Sequence, residues 1–173
     1  MQHAIPSAES LGALLSARAE QCPEKLLLQN LDDGINSSEV LTFGEAALNA
    51  RRMATLLQNN FKPGAAILLL YPPGLEFVPA LFGCFYSECL AVPAYPPDPM
   101  RFETTLARLV AIAADANVEG VLTTAFVRDA SMGMVGDVER LLKLPWFATD
   151  ENTESSLCAT PNTPADTARG VRA

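Results

Sequence analysis

The sequence contains little of the chemistry on which self-contained hydrolases and metalloenzymes depend. Its only histidine is His3, near the start of a chain of 173 residues. A Ser-His-Asp or Cys-His site would have to use that residue, and so would most catalytic zinc sites. Neither the Gly-x-x-x-x-Gly-Lys-Ser/Thr loop nor a Gly-x-Gly-x-x-Gly turn after a strand is present. We therefore predict no catalytic, cofactor-binding or metal-binding residues in this chain.

Long uninterrupted apolar runs are also missing. The longest apolar region, residues 75–95, contains Glu76, Glu88, Pro79 and Pro93. A membrane span needs about 20 mostly apolar residues without such interruptions. The first residues lack the basic start and apolar run of a secretory signal. These features predict no membrane span and a cytoplasmic location.

The four cysteines show no metal-type spacing. Cys84 and Cys89 are five residues apart in a predicted helix, which would put them on different faces. In a reducing compartment free thiols are expected. We predict that Cys22, Cys84 and Cys89 are buried thiols and that Cys158, in a polar segment, is exposed.

Positive charge is sparse. The formal net charge is −8, and the neighbours Arg51 and Arg52 are a rare cluster of like positive charges. Such a field repels phosphate backbones, so we predict no nucleic-acid partner. By contrast, hydrophobic residues make up 49% of the chain and charged residues 18%, which is typical of a globular protein with a substantial core.

Hydrophobic periodicity predicts alternating strands and helices. Ser7 or Ser10 can cap a first helix with Leu11, Leu15, Ala19 and Cys22 on its apolar side. A hairpin follows, with strands at 25–31 and ending near 41, and then a helix opened by a capping box at 42–45. The later predicted elements are strands at 65–70, 90–92, 120–123 and 146–149, and helices at 75–87, 102–116 and 126–142, the last interrupted by Gly133 and Gly136.

This order predicts an α/β fold with a mostly parallel sheet and flanking helices. The apolar run at 65–70 is typical of a parallel strand covered on both faces. The strand, helix and strand from 65 to 92 form a βαβ unit. After residue 149 the apolar periodicity ends and polar residues dominate. We predict one α/β subdomain at 1–149 and a flexible polar tail at 150–173.

Several segments resemble the fatty acyl-AMP ligases, which belong to the adenylate-forming, acyl-CoA synthetase-like superfamily. The central one is Ala91-Val92-Pro93-Ala94-Tyr95-Pro96-Pro97-Asp98-Pro99, and others are Leu69 to Phe77, Leu41 to Glu45 and Leu144 to Asp150. The resemblance covers roughly residues 11–150 in consistent order. It implies part of the large N-terminal domain of an adenylate-forming enzyme.

The prolines of the central segment also have a physical role. Pro93, Pro96, Pro97 and Pro99 restrict the backbone and favour an extended conformation. A rigid connector between the sheet and the next helix is the favoured interpretation, ahead of direct substrate contact or a PxxP ligand at 93–96. Glu88 departs from the family, whose members often have glycine or another small residue there.

The resemblance implies a reaction and its partners. The family activates a fatty acid with ATP, assisted by Mg²⁺, and transfers the acyl group to an acyl carrier protein or a polyketide synthase. It does so with a Ser/Thr/Gly-rich phosphate loop and later motifs. Residues 163–168 resemble the lead-in to that loop, but Arg169-Gly170-Val171-Arg172-Ala173 follow instead.

Three hypotheses follow from this comparison. In the first, the chain is a truncated fatty acyl-AMP ligase that is inactive alone and holds neither ATP nor Mg²⁺. In the alternative, it is a non-catalytic module that complements or engages a partner protein. In the third, it is an unrelated α/β binding domain, and the proline-rich segment is a coincidence. Missing sheet neighbours would leave an edge and an apolar face open, so we predict that the isolated chain associates with itself, through that edge, or with a complementary partner.

Overall fold

The computed structural model describes residues 10–31, 34, 37–132 and 139–151. A short 3₁₀ turn, Pro99–Arg101, precedes the fourth helix. The helices are α1 Leu11–Gln21, α2 Phe43–Asn60, α3 Phe77–Tyr86, α4 Phe102–Asp115, α5 Ala125–Met132 and α6 Glu139–Leu142. The strands are β1 Leu26–Leu31, β2 Ser37–Thr42, β3 Ala66–Leu70, β4 Leu90–Ala94, β5 Gly120–Thr123 and β6 Trp146–Ala148.

Four of the strands form a parallel sheet in the order β4-β3-β5-β6. Every residue of β3 is buried, as its continuous apolar sequence predicts for a central strand with both faces covered. The edge strands β4 and β6 are only partly buried. The predicted α/β class with a mostly parallel sheet is confirmed.

Two apolar layers cover the two faces of this sheet. Ile67 and Leu69 of β3 pack in a cluster with Leu57 of α2 and Cys84 of α3. Leu68 and Leu70 point the opposite way, into a second cluster whose helix-borne members are Leu109, Val127 and Leu141, from α4, α5 and α6 respectively. The connection through α3 therefore leaves on one face, whereas those through α4 and α5 run on the other.

The antiparallel hairpin β1-β2 packs with α1 and α2 in a third cluster. The predicted capping box of α2 is present, since Thr42 Oγ1 accepts from the Glu45 amide and Glu45 Oε2 accepts from the Thr42 amide. Ser10 is the cap of α1, one of the two predicted candidates.

The predicted apolar side of α1 is wrong at its first position. Leu11 is 61% exposed, while Leu15 is buried. The Tyr86 side chain lies against this helix, and its hydroxyl donates to the Gly12 carbonyl and bonds Ser16 Oγ. This contact sets the packed face along Gly12, Leu15 and Ser16, so Leu11 turns towards solvent.

Two helices end on residues in the left-handed conformation. Glu88 follows α3 with φ +59°, and Asn117 follows α4 with φ +50°. The Cys89 amide donates to the Cys84 carbonyl, and the Val118 amide to the Ala113 carbonyl, which is the Schellman pattern of hydrogen bonds. Cys89 thus lies beyond α3 rather than on it, which corrects the prediction of one helix for both cysteines.

The proline-rich connector begins inside the sheet. Pro93 and Ala94 belong to β4 and pair with Leu69 and Leu70, so the strand is two residues longer than predicted. The Leu90 amide points towards β3, since it donates to the carbonyl of Ala65, the residue before that strand. Amide direction alternates along a strand. Position 93 therefore faces the open edge, where a missing N–H costs no ladder bond.

The helix prediction for 126–142 divides into α5 and α6, and the interrupting glycines, Gly133 and Gly136, lie outside the described residues. So do Cys158 and most of the predicted tail. The domain division at residue 149 stays a prediction. Within the described ranges, every helix is too short or too polar to cross a bilayer.

Candidate functional site

The carboxyl end of the parallel sheet is the candidate site. The chain leaves β3 towards one face and β5 towards the other, which opens a crevice between the two loops that follow these strands. Ligands of open α/β sheets bind at such topological switch points. The residues that follow the strands at this end are Tyr71 after β3, Thr124 after β5, and Thr149 and Asp150 after β6.

Tyr71 is buried directly after β3. Its hydroxyl lies 2.9 Å from Thr149 Oγ1, and Thr149 Oγ1 in turn donates to the Thr123 carbonyl at 3.2 Å. Since the Thr149 proton is used there, the Tyr71 hydroxyl is the donor to Thr149. Burial raises the pKa of Tyr71 far above its ordinary value, so the phenol remains neutral and is no general base.

A second hydroxyl ties the strands together directly behind this pair. Thr123 is fully buried, and its Oγ1 donates to the Leu70 carbonyl at 2.6 Å. The Thr149 amide donates to the Thr123 carbonyl at 2.9 Å. Tyr71, Thr123 and Thr149 therefore join the ends of β3, β5 and β6 in one hydrogen-bonded network.

The N-terminus of α5 points into the same region and already carries a carboxylate. Asp150 Oδ1 accepts from the Ala125 amide at 2.7 Å, and Thr124 Oγ1 accepts from the Val127 amide at 3.3 Å. Free amides at a helix N-terminus bind phosphate well. Here an external anion would first have to displace Asp150.

The nearby arginine is also occupied. Arg128 makes two 2.7 Å hydrogen bonds to the Glu151 carboxylate and a third, 3.0 Å long, to Asp129. These carboxylates raise the pKa of Arg128, and Arg128 lowers the pKa of Glu151. Its charge is balanced within the chain, so it is not available as a phosphate clamp in this arrangement.

The cysteines behave as structural thiols. Cys84 and Cys89 are buried in the same apolar cluster, and burial raises the pKa of the Cys84 thiol to about 12. Cys22, predicted to be buried, is only half-buried, because it follows the last residue of α1, and its thiol donates to the Arg18 carbonyl. Among the described residues, His, Cys, Asp and Glu side chains form no cluster of three or more that could hold a metal ion.

The polar groups at the carboxyl end of the sheet are engaged within the chain. The hydroxyls, the first α5 amide and the arginine at the crevice are hydrogen-bonded to other residues of the chain. The prediction of no catalytic, cofactor-binding or metal-binding residues stays a prediction. The sequence analysis missed the Tyr71–Thr149 hydrogen bond and the Asp150 cap. The polar residues Thr149 and Asp150 at the end of a predicted strand were the feature of the sequence that could have indicated them.

The proline-rich connector is anchored at both ends. Asp98 Oδ1 accepts from the Met100 amide at 2.9 Å, and the Asp98 amide donates to Thr105 Oγ1 at 3.1 Å. Together with the pairing of Pro93 in β4, these bonds favour the predicted rigid connector. The PxxP interpretation is weakened, because half of that pattern is already held in the sheet.

The profile of the family described as AMP-binding enzyme matches residues 15–168. The medium-chain-fatty-acid--[acyl-carrier-protein] ligase JamA of Moorena producens (strain JHB) is 47% identical over 96 residues, which are 56% of this chain and 16% of JamA. Disco-interacting protein 2 of Drosophila melanogaster is 32% identical over 95 residues, 54% of this chain and 5% of that protein.

Solved structures agree with this family. The fatty acid AMP ligase from Legionella pneumophila superposes with a TM-score of 0.71 at 29% identity, over 83% of this chain and 24% of the ligase. A Legionella pneumophila fatty acyl-adenylate ligase in complex with acyl adenylate and pyrophosphate gives 0.70 at 30% identity, over 84% of this chain and 24% of that one.

This chain thus spans only about a sixth of JamA and a quarter of the solved ligases. The resemblance to fatty acyl-AMP ligases that the proline-rich segment indicated is confirmed. With a profile match over most of its length and the parallel α/β sheet of its structural neighbours, the chain belongs to the AMP-binding enzyme family.

Proposed function

We propose that this chain forms the N-terminal part of the adenylating domain of a fatty acyl-AMP ligase. The identity of 47% to a fatty-acid–carrier-protein ligase carries the proposal. In the proposed reaction a fatty acid carboxylate attacks the α-phosphate of ATP, an acyl-adenylate forms and pyrophosphate leaves. The acyl group then passes to an acyl carrier protein or a polyketide synthase. ATP and Mg²⁺ enter as requirements of the family.

In this proposal the described residues act as a scaffold. The network of Tyr71, Thr123 and Thr149 holds the carboxyl ends of three strands in fixed register. Asp150 holds the first turn of α5. Catalysis of adenylation needs preorganised groups placed around the developing phosphate charge, and preorganisation depends on such rigid support.

We further propose that the 173-residue chain alone forms no acyl-adenylate, because its sequence contains no Ser/Thr/Gly-rich phosphate loop. The test is ATP–pyrophosphate exchange with a medium-chain fatty acid and Mg²⁺, with a complete JamA-type ligase as the positive control. We expect the purified chain to match the no-enzyme blank. Exchange that co-purifies with the chain through several columns would refute this part of the proposal.

The open sheet edges differ in their capacity for self-association. Position 93 of β4 lacks an outward N–H, which blunts that edge. The Thr149 amide donates to the Thr123 carbonyl of β5, and amide direction alternates along a strand. The amides of Trp146 and Ala148 therefore point away from β5, towards the open side of β6. We propose that any pairing between chains uses β6. The similarity to ligases favours the hypothesis that this chain is part of an enzyme over the hypothesis that it is a stand-alone interaction module.

A further inference from the structure

Two cysteines stand at the two ends of the turn that closes α3. Cys84 lies in the last turn of the helix, and Cys89 is the residue directly before β4. The Cys89 amide donates to the Cys84 carbonyl at 3.0 Å, which is the outer bond of the Schellman pattern. The Ser87 hydroxyl donates to the same carbonyl at 3.1 Å. These bonds fix the backbone of the two cysteines relative to each other.

This turn also brings the side chains at its two ends together. In a Schellman motif the residues joined by the outer bond commonly make an apolar contact. The corresponding pair after α4 is Ala113 and Val118, and both pack in one cluster. Cys84 and Cys89 likewise belong to one buried cluster. Burial is the main cause of the raised pKa of the Cys84 thiol, and the nearby Cys89 adds to it.

The spacing of the two residues suits a disulfide. A disulfide needs Cα atoms about 4.4–6.8 Å apart and Cβ atoms that face each other. In an antiparallel pair of residues, amide–carbonyl hydrogen bonds hold the Cα atoms about 5.5 Å apart. The same kind of bond joins Cys84 and Cys89, and both thiols are free in this structure.

The pair is buried, but the chain on either side of Cys89 is exposed to solvent. Cys84 is fully buried and Cys89 is 6% exposed. The neighbours of Cys89 differ, since Glu88 is exposed and Leu90 is 60% exposed. Helix ends open locally at a much lower free energy than a core strand does. Opening of this single turn therefore exposes the Cys89 thiol to a small oxidant while the sheet stays folded.

We propose that Cys84 and Cys89 form a disulfide, which we call the α3 clasp, when the chain meets a low-molecular-weight disulfide such as oxidised glutathione. The Cys89 thiolate attacks one sulfur of the oxidant, which gives a mixed disulfide and releases one glutathione thiolate. The Cys84 thiolate then attacks the Cys89 sulfur and expels the second. The two protons of the protein thiols end on the two released thiolates, so two protein thiols are oxidised and one external disulfide is reduced.

The clasp acts on the junction between α3 and β4. It closes a ring over residues 84–89, which contains Glu88 in its left-handed conformation. A disulfide that fits the folded geometry stabilises the folded state, chiefly because it constrains the unfolded chain. Oxidation therefore locks the end of α3 and reduction releases it. This device is independent of the proposed ligase activity.

Thiol–disulfide equilibrium in the folded and the unfolded chain tests the proposal. The test protein carries Cys22→Ser and Cys158→Ser, so that Cys84 and Cys89 are its only cysteines. A matched control carries Cys89→Ser and Cys158→Ser and keeps Cys22 and Cys84. Each protein is equilibrated with reduced and oxidised glutathione, in buffer and in urea, and free thiols are then alkylated. Mass spectrometry identifies the internal bond, and circular dichroism checks that both proteins fold in buffer.

We expect the equilibrium constant for the Cys84–Cys89 bond to be at least about tenfold higher in buffer than in urea. The control should form only mixed disulfides with glutathione in buffer. An equal or lower constant in buffer would overturn the proposal, because the folded geometry would then not favour the bond. So would an internal bond in the folded control to the same extent.

Hydrogen exchange of the natural chain gives a second measurement. After oxidation the Cys89 amide should exchange at least about tenfold more slowly, because the clasp opposes opening of its turn. The Val118 amide, in the same motif after α4, is the internal control and should not change. Unchanged exchange at Cys89, or equal slowing of both amides, would overturn the clasp. If the serine variants do not fold, peptide mapping of the oxidised natural chain decides, and bonds from Cys84 or Cys89 only to the other cysteines would refute the proposal.

Discussion

At the scale of single residues, Glu88 is the clearest conflict between side chain and backbone. Its φ of +59° follows from the closing turn of α3, in which the Cys89 amide bonds the Cys84 carbonyl and the Gly64 amide bonds the Glu88 carbonyl. This left-handed conformation is sterically unfavourable for residues with a Cβ, whereas glycine adopts it without strain.

We therefore predict that Glu88→Gly stabilises the chain by about 1 kcal/mol. Glu88→Ala is the matched control, because alanine also removes the charge but keeps the Cβ. Urea unfolding of the three proteins measures the difference. If alanine stabilises as much as glycine, the gain comes from the charge and the backbone explanation is wrong.

Cys84 leads to a prediction on alkaline stability. Its pKa is raised by burial to about 12, whereas an unfolded thiol ionises near 8.5. Above the lower value the unfolded state loses its proton first, so the free energy of unfolding falls as pH rises from about 8.5 towards 12. The contribution is fully present below the unfolded pKa.

Cys84→Ala should therefore lose less stability than the natural chain between pH 8 and pH 10, by up to about 1.4 kcal/mol per pH unit. Both proteins keep Tyr71, whose raised pKa acts at higher pH. Urea unfolding at several pH values measures the slopes, which a constant cavity cost of the alanine does not alter. Parallel slopes would contradict the assignment.

At the scale of elements, β4 shows how a short strand is completed by its context. The strand contains Pro93, and proline is disfavoured in strand interiors. Pairing with the buried β3 nevertheless extends β4 to Ala94. The proline is tolerated because its nitrogen faces the open edge. Pro93 therefore removes a hydrogen-bond donor from the open edge of β4 and also begins the connector.

We predict that Pro93→Val promotes self-association, because it adds an outward amide and a β-branched residue to an exposed edge. Pro97→Val, in the connector beyond the strand, is the control. Sedimentation velocity over a range of concentrations should show larger species for the first variant alone. Equal behaviour of both variants would mean that the edge is already protected by other features.

At the scale of the whole molecule, β3 holds the two faces of the sheet together. Leu68 and Leu69 are neighbours in sequence, fully buried, and belong to clusters on opposite faces. Trp146 packs against the cluster that contains Leu68 and donates to the Leu141 carbonyl, so its fluorescence reports on that side. A strand shared by both layers couples their unfolding.

We predict that Leu68→Ala and Leu69→Ala each cost about 2–5 kcal/mol and shift one common transition. Far-ultraviolet circular dichroism and Trp146 fluorescence should give coincident urea curves for both variants. If Leu69→Ala moved the dichroism curve and left the fluorescence curve in place, the two layers would be separate folding units.

Local patterns in the sequence were sufficient for much of the fold. The capping box at Thr42, the buried strand β3 and the βαβ spacing act over a few residues, and each prediction was confirmed. Leu11 was predicted wrongly because the packed side of α1 is set by Tyr86, 74 residues from Gly12 along the chain. Periodicity identifies a possible apolar side, and the partner selects the one that is used.

The sequence by itself therefore determined the α/β class, the order of its elements and the likeness to fatty acyl-AMP ligases, because these depend on local propensity and on motifs read in order. Only the tertiary structure decided that Tyr71 meets Thr149 and that Asp150 occupies the start of α5. These contacts join residues far apart in sequence, and the pairing of β5 with β3 and β6 brings them together.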